Sequence, residues 1–550
     1  MTVRVPACLL AAFVVGGLVV SPSRADDDPG QEDLDQAITA KLSADSFRAL
    51  GSVADLCQSA IDKGLAAPNL EFAKQMLAGA LLERASAVCA PLLGGGMPDE
   101  QWPLRRRVAM EDLERAIECD PRQPLAQLIV AQLQALPGGN REQALAALDT
   151  AVELTGDDHE LQSEALRLRA GLRSDVAASL ADLDQAVQLA PTDPKPLRAR
   201  GELRLAQNKA AEALSDFDAA LALDPGDATT HEARGMTEGI LRNWDEARAS
   251  FTRATELAPG STLPYVERGR INFLAGDVEA ALADASEALE LNPNDLAALH
   301  FRAQVLGSAG KLEEALADIN QVLIARPGFV DGLRIWATLI VMTGKVAETT
   351  TALERRGVRR PDDVITFVRL GLLYASQRQS EQAIVAYTAA LRLERQAAFA
   401  YQARGDAYLN IGKQREAIAD YDSALEREPG NTGVLNNLAW VLATSPDAAL
   451  RDGRRAVELA TKACELTNYR LAHIVSTLAA GYAELGDFST AQRWSREAVG
   501  MGDEEMKTQL SKELDSYQAG KPWRELQSES EMPTEAPPQK SAQKKSEKPR

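Results

Sequence analysis

A proline returns every 34 residues through the middle of this chain. Pro191, Pro225, Pro259, Pro293, Pro327 and Pro361 are evenly spaced, and Pro429 stands two periods further on. A period of this length marks a stack of repeats, in which each unit buries a face only against its neighbours. The usual reading of 550 residues as several independent domains therefore does not apply. With the proline set at place 32, units begin at Glu160, Pro194, Ala228, Thr262, Leu296, Val330, Val364 and Ala398.

Other places repeat in the same register. Place 20 carries Ala213, Ala247, Ala281, Ala315, Ala383 and Ala417; place 27 carries Ala186, Ala220, Ala254, Ala288, Ala390 and Ala424. Gly201, Gly235, Gly269, Gly371 and Gly405 fall at place 8. A large apolar residue fills place 24 in Leu183, Phe217, Phe251, Ile319, Tyr387 and Tyr421. Two amphipathic helices, A and B, explain this pattern. Small residues let the backbones approach, the large residue fills the gap, and the proline ends helix B. Gly276, Gly310, Gly344 and Gly412 at place 15 suit a left-handed C-cap between A and B.

The pattern resembles the tetratricopeptide repeat (TPR) family. The resemblance implies an all-α fold, a right-handed TPR-type α-solenoid of about eleven helix-turn-helix repeats. Looser units extend it. Leu125–His159 is one; Ala109, Leu113, Ala116 and Pro121 give a helix B whose partner lies beyond an insertion at Leu92–Pro103; residues 35–68 hold a degenerate unit or a capping pair. Thr432 opens a unit with a longer A–B turn around Ser445–Gly453, and Ala472 opens the last unit. The expected organisation is a signal peptide at 1–25, degenerate helical repeats at 26–124, a solenoid core at 125–431, C-terminal units at 432–502, a capping helix at 503–526 and a disordered tail at 527–550. The unit at Val330 is the weakest, because Thr349 and Arg356 replace small residues of helix B. Loss of close packing and a local bend are expected there.

The first residues read as an export signal. Arg4 precedes an apolar run from Ala7 to Val20, too short to span a bilayer, and Ser23-Arg24-Ala25 offers a cleavage site. An uncleaved N-terminal anchor is the alternative. Cleavage removes Arg4 and Arg24 and takes the net charge from −20 to about −22. The expected location is periplasmic or secreted, in a bacterium. So acidic a chain has no bulk attraction to nucleic acid or anionic lipid. Cys57, Cys89, Cys119 and Cys464 form no metal spacing; they read as buried thiols, with one disulfide among the first three as the alternative. The basic end of the tail, from Lys540 to Arg550, reads as solubilising, or as contacting an anionic surface or folding back.

No pattern points to catalysis, a metal or a cofactor. His159, His231, His300 and His473 are scattered, and Gly307-Ser-Ala-Gly310-Lys311 is turn punctuation, since Leu312 replaces the Ser/Thr of a phosphate loop. Arg at place 7 (Arg200, Arg268, Arg302, Arg404) accompanies Asp at place 23 (Asp216, Asp284, Asp318, Asp420). Places 7 and 23 lie on facing helices, so these are expected to be structural ion pairs. Read as exposed, each contributes at most about 1 kcal/mol. Arg234 with Ser250 and Leu166 with Asp182 are exceptions.

The resemblance implies a binding surface. In the TPR family a concave face, lined by helix A at places 2, 5, 9 and 12, holds an extended peptide or a partner helix. Carried over, those places give Lys195, Arg198 and Glu202; Glu232 and Met236; Arg270 and Phe273; His300 and Gln304; Asp331 and Arg334; Gln402 and Asp406; Asn436 and Trp440. Asn437 joins the last group, beside the longer turn. Chaperone-binding relatives clamp a carboxylate with Lys and Asn at such places; here Glu202 follows Arg198 and Asp406 follows Gln402, so that clamp is not reproduced. The expectation is a non-catalytic scaffold that binds a partner protein or peptide. The alternative is a recruiting subunit that brings an enzyme to the cell envelope.

Overall fold

A computed structural model describes residues 28–93 and 101–524. The expected signal peptide, Cys8, much of the Leu92–Pro103 insertion and the tail at 527–550 lie outside the described residues. The chain divides into two units, one ending at Ala275 and one beginning at Gly276.

Unit 1 holds α1 (Gln31–Lys41), α2 (Phe47–Lys63), α3 (Ala67–Leu93), α4 (Trp102–Cys119), α5 (Pro124–Ala135), α6 (Arg141–Leu154), α7 (His159–Leu172), α8 (Val176–Leu189), α9 (Pro194–Ala206), α10 (Ala210–Leu223), α11 (Ala228–Ile240), α12 (Trp244–Leu257) and α13 (Leu263–Leu274). Unit 2 holds α14 (Val278–Leu291), α15 (Leu296–Ser308), α16 (Leu312–Ala325), α17 (Val330–Met342), α18 (Val346–Arg359), α19 (Val364–Ser376), α20 (Ser380–Leu393), α21 (Ala398–Asn410), α22 (Gln414–Arg427), α23 (Thr432–Thr444), α24 (Gly453–Leu466), α25 (Ala472–Glu484), α26 (Phe488–Met501) and α27 (Glu504–Gln518). Among the described residues every regular element is a helix, and none is long and apolar enough to cross a membrane. Helix pairs continue upstream of the clear period: α1 packs on α2 and α3 on α4.

Within each unit the odd-numbered helices are the A helices, and consecutive A helices touch, as α7 does α9 and α15 does α17. Consecutive B helices make no comparable contact. The A helices therefore form the inner row of each stack. Place 8 shows how a pair closes. A Cβ added to Gly201 would sit 2.7 Å from the Phe217 ring; Gly235 meets Phe251 at 2.8 Å, Gly371 meets Tyr387 at 2.4 Å and Gly405 meets Tyr421 at 2.8 Å. The aromatic ring at place 24 fills the space that glycine leaves. Gly269 is buried too. Ala213, Ala220, Ala247, Ala254, Ala281, Ala288 and Ala424 are fully or almost fully buried.

Place 15 is left-handed in every unit from Pro194 to Ala398. Gly276, Gly310, Gly344 and Gly412 have positive φ, and so do Asn208, Arg242 and Arg378 at the same place. Place 34 supplies the N-cap of the next helix A: Asp193, Asp227, Asp295, Asp363 and Asn431 each accept a backbone N–H from the first turn. Phe329, ahead of α17, has no side chain to do so.

The Arg–Asp pairs are not exposed, which corrects the sequence reading. Asp182, Asp216, Asp318 and Asp420 are 3–5% exposed. Arg200 pairs with Asp216, Arg302 with Asp318 and Arg404 with Asp420, each at 2.7 Å. The unmatched Asp182 is taken by Arg169 at 2.6 Å and Arg173 at 3.1 Å, and Arg234 donates to Ser250 at 2.6 Å. The same arginines also reach back to the preceding helix B. Arg200 meets Asp184 at 2.7 Å, Arg234 meets Asp218 at 2.7 Å and Arg404 donates to Thr388 at 3.0 Å. The ladder thus holds helix A to helix B and repeat to repeat. Losing one partner of such a buried pair leaves an uncompensated charge, which costs far more than an exposed pair contributes.

The Val330 unit departs from its neighbours. α17 and α18 barely touch. Trp336 stands at place 7 in the stead of the arginine and carries Arg369 of α19 over its ring at 4.8 Å. Arg356, at place 27, pairs with Asp363 at 2.8 Å. A large charged residue where the neighbouring units carry Val322 and Ala390 explains the opened pair.

Candidate functional site

In unit 1 the helix-A face is acidic and aliphatic. Arg198 is not free to meet a ligand: it pairs with Asp227 at 2.7 Å and approaches Glu202 at 3.7 Å. Asp227 is itself the α11 N-cap. Burial opposes its ionisation, but bonds from Thr230 and Arg198 outweigh that and hold its carboxyl below the usual range. Glu232 is pushed up, first by burial and then by the charges of Asp227 and Glu267. Glu202 is exposed, and Arg270 is exposed and leans on Glu267 at 3.4 Å. Phe273 is half-buried, while Met236, Ile240 and Leu274 are exposed.

In unit 2 the face changes along the stack. His300 is half-buried and sits edge-on to Phe329. Gln304 and Arg334 are exposed. Together with Ala303, Gly307, Ser308, Ile335, Thr338, Leu339 and Met342 they line a cavity of about 260 Å³ between α15 and α17. Its floor is apolar and its rim carries the Gln304 amide, the Thr338 hydroxyl and the Arg334 guanidinium. A Cβ on Gly307 would lie 2.9 Å from Leu339, so the floor depends on glycine at that place.

Arg334 also lies 6.0 Å from the Phe399 ring of α21. Beyond it lies a polar cluster. Asp406 accepts from the Tyr421 hydroxyl at 2.6 Å and from Asn437 at 3.2 Å. Burial pushes the Asp406 carboxyl up, against these two hydrogen bonds and the charge of Arg334. Gln402 is buried and accepts from Asn431 at 3.4 Å. Asn436 donates to Asn437 at 3.4 Å, and its own Oδ1 is buried without a partner. Trp440 is half-buried and packs on the core that holds Tyr421 and Tyr517.

These residues offer recognition chemistry. Among the described residues no group of three or more His, Cys, Asp and Glu side chains is placed to hold a metal ion. Cys57, Cys89, Cys119 and Cys464 are free thiols, so none of the first three pairs in a disulfide. Burial pushes Cys57 up to about 11 and Cys89 up to about 12, away from the thiolate a nucleophile needs.

The sequence matches the tetratricopeptide repeat model over residues 198–262, 234–295, 266–329, 368–432 and 403–463. This is a tetratricopeptide-repeat protein. The TPR matches leave out 330–367, the stretch that contains the opened α17/α18 pair. No curated protein matches the chain. Among solved structures, it is similar to a tetratricopeptide repeat protein from Parabacteroides merdae, at 19% identity over 44% of this chain and 97% of that one, with a TM-score of 0.29. Yeast Tom70 is 15% identical over 75% of this chain and 98% of that one, with a TM-score of 0.34. YrrB, described as a TPR protein with an unusual peptide-binding site, is 21% identical over 40% and 97%, with a TM-score of 0.25.

Two features of this TPR chain escape a place-by-place reading. The family's places give Arg334 but not Ser308, Ile335, Leu339 and Met342, which complete the cavity. The core on which Trp440 packs is also joined by Trp523, far along the chain. The exposed aliphatic residues at place 13, Ile240, Leu274 and Met342, are a signal that was present in the sequence.

Proposed function

We propose that this protein is a non-catalytic scaffold whose unit 2 holds an extended segment of a partner protein along its helix-A face. The observation that carries the reading is the cavity between α15 and α17. At about 260 Å³ it falls below the ~300–1,000 Å³ of sites that enclose small molecules. It opens on the row of A helices, which suits one aliphatic side chain anchored from a longer strand. Gln304, Thr338 and Arg334 then offer donors to the strand's carbonyl or carboxylate oxygens. Arg334 makes no ion pair among the described residues, so a ligand carboxylate meets an available cation.

The proposal includes export. The apolar run from Ala7 to Val20 and the site at Ala25 support a location outside the cytoplasm, where the partner would be sought. The test is affinity capture with the full chain from an extract of its own cells, beside a Thr338→Trp variant that fills the cavity and an Arg334→Glu variant. Both positions are exposed, so melting temperatures should match wild type. The expected result is one dominant protein whose recovery falls at least tenfold in both variants. Equal recovery in all three would remove the cavity from the account.

A further inference from the structure

In the last pairs of unit 2 the helix-A face is covered by the protein's own chain. After α27, Gly520 takes φ +68° and the chain turns back. The Lys521 N–H bonds the Ser516 carbonyl at 2.9 Å, and the Ser516 hydroxyl donates to the Lys521 carbonyl at 2.9 Å. Pro522 stiffens the backbone leading into Trp523. Trp523 packs on the cluster that contains Tyr517, Ala480 and Ala483. Arg524 donates to the Ala443 carbonyl at 3.0 Å and pairs with Glu484. The same Glu484 carboxylate takes Arg451, from the long turn after α23, at 2.9 Å.

The places involved are those that line the open cavity elsewhere. Ala443 stands at place 12 of α23 and Glu484 at place 13 of α25. Their counterparts in α15 and α17 are Gly307 and Met342, both cavity residues. The segment Lys521–Arg524 therefore lies where a bound strand would lie.

Its contacts are unevenly satisfied. Arg524 gains a charge-assisted bond and Trp523 buries part of its ring. Yet Trp523 Nε1 and Tyr517 Oη are both buried without a hydrogen-bond partner. Buried donors left unpaired are costly, and both would meet water if the segment lifted. Favourable and unfavourable contacts are thus set against each other in one short strap.

We propose that Lys521–Arg524 is a built-in, displaceable occupant of the helix-A face at α23 and α25. The site beneath it takes an extended partner segment that carries an aromatic side chain followed by arginine. The planar guanidinium reaches a carboxylate and a helix-end carbonyl at once, which a lysine ammonium does less well. This site is separate from the cavity between α15 and α17, and the comparison of places rests on the reading of that cavity as a strand site.

The probe is a fluorescent peptide of sequence Ala-Gly-Lys-Pro-Trp-Arg, read by anisotropy on the full chain. A Trp523→Ala, Arg524→Gln double variant should bind it at least tenfold more tightly than wild type. Adding Glu484→Gln should return affinity to the wild-type level. Equal affinity for wild type and double variant, or no binding by a folded double variant, would overturn the proposal. If the double variant fails to fold, hydrogen exchange on wild type decides. Excess peptide should speed exchange of the Lys521 N–H at least tenfold, and an unchanged rate would overturn it.

Discussion

Arg404 and Asp420 face each other across α21 and α22 through two N–H···O bonds of 2.7 Å, and Asp420 is only 5% exposed. The pair stands for a ladder that runs through the repeats. Arg404→Met should cost about 3 kcal/mol, because it strands a buried carboxylate. The double variant Arg404→Met, Asp420→Leu should recover most of that loss. Hydrogen exchange of α21 and α22 is the measurement, since unfolding in a repeat stack is local.

Gly371 and Gly79 should respond to alanine in opposite directions. A Cβ at Gly371 would lie 2.4 Å from the buried Tyr387 ring. Overpacking of about 1–3 kcal/mol there exceeds the ~1 kcal/mol gained in helix propensity. Gly79, inside α3, has nothing within 4 Å. Gly79→Ala should therefore stabilise by about 0.5–1 kcal/mol. Urea titrations of the two variants check both signs.

Arg242 adopts φ +63° at a place where other repeats use glycine. A left-handed residue with a Cβ carries a penalty of about 1–2 kcal/mol. Arg242 is exposed and its side chain fills no core space. Arg242→Gly should raise stability by about 1 kcal/mol after the entropy of glycine is set against the gain. A melting curve that shifts downward would show that the turn is not strained.

Asp406 gives the fold a pH dependence of predictable sign. Burial raises its carboxyl above the unfolded value, despite the bonds from Tyr421 and Asn437 and the charge of Arg334. Its contribution to stability is therefore full at pH below the ordinary aspartate range and is lost as pH rises through the raised value. Asp406→Asn keeps an oxygen for both donors and removes the charge. The variant's melting temperature should exceed that of wild type by a margin that grows from pH 4 and then levels. A constant margin across pH 4–8 would contradict this.

The sequence displayed the repeat because packing at place 8 and place 24 is a two-residue contact that recurs. Gly371 beside Tyr387 and Gly405 beside Tyr421 can be read without coordinates. The burial of Asp216 and Asp420 could not, because it depends on where Arg200 and Arg404 deliver their guanidinium groups. The caps at place 34, Asp193, Asp227, Asp295 and Asp363, were in plain register and are a signal the period alone did not use. Among candidate site residues, Arg198 proved to be held by Asp227, whereas Gln304 and Arg334 line a cavity. No local pattern connects Trp440 with Trp523, since only the turn after α27 brings them to one core.

The central claim is that ligand binds along the helix-A face of unit 2 at the α15/α17 cavity. The most direct measurement is photo-cross-linking of the full chain in its own cells, with benzoylphenylalanine at Thr338 or at Val358. Thr338 lines the cavity, and Val358 is 85% exposed on helix α18. The account predicts one dominant protein adduct from position 338, none from 358, and loss of the adduct when Arg334→Glu is added. Equal adducts from both positions, or an adduct from 358 alone, would contradict it.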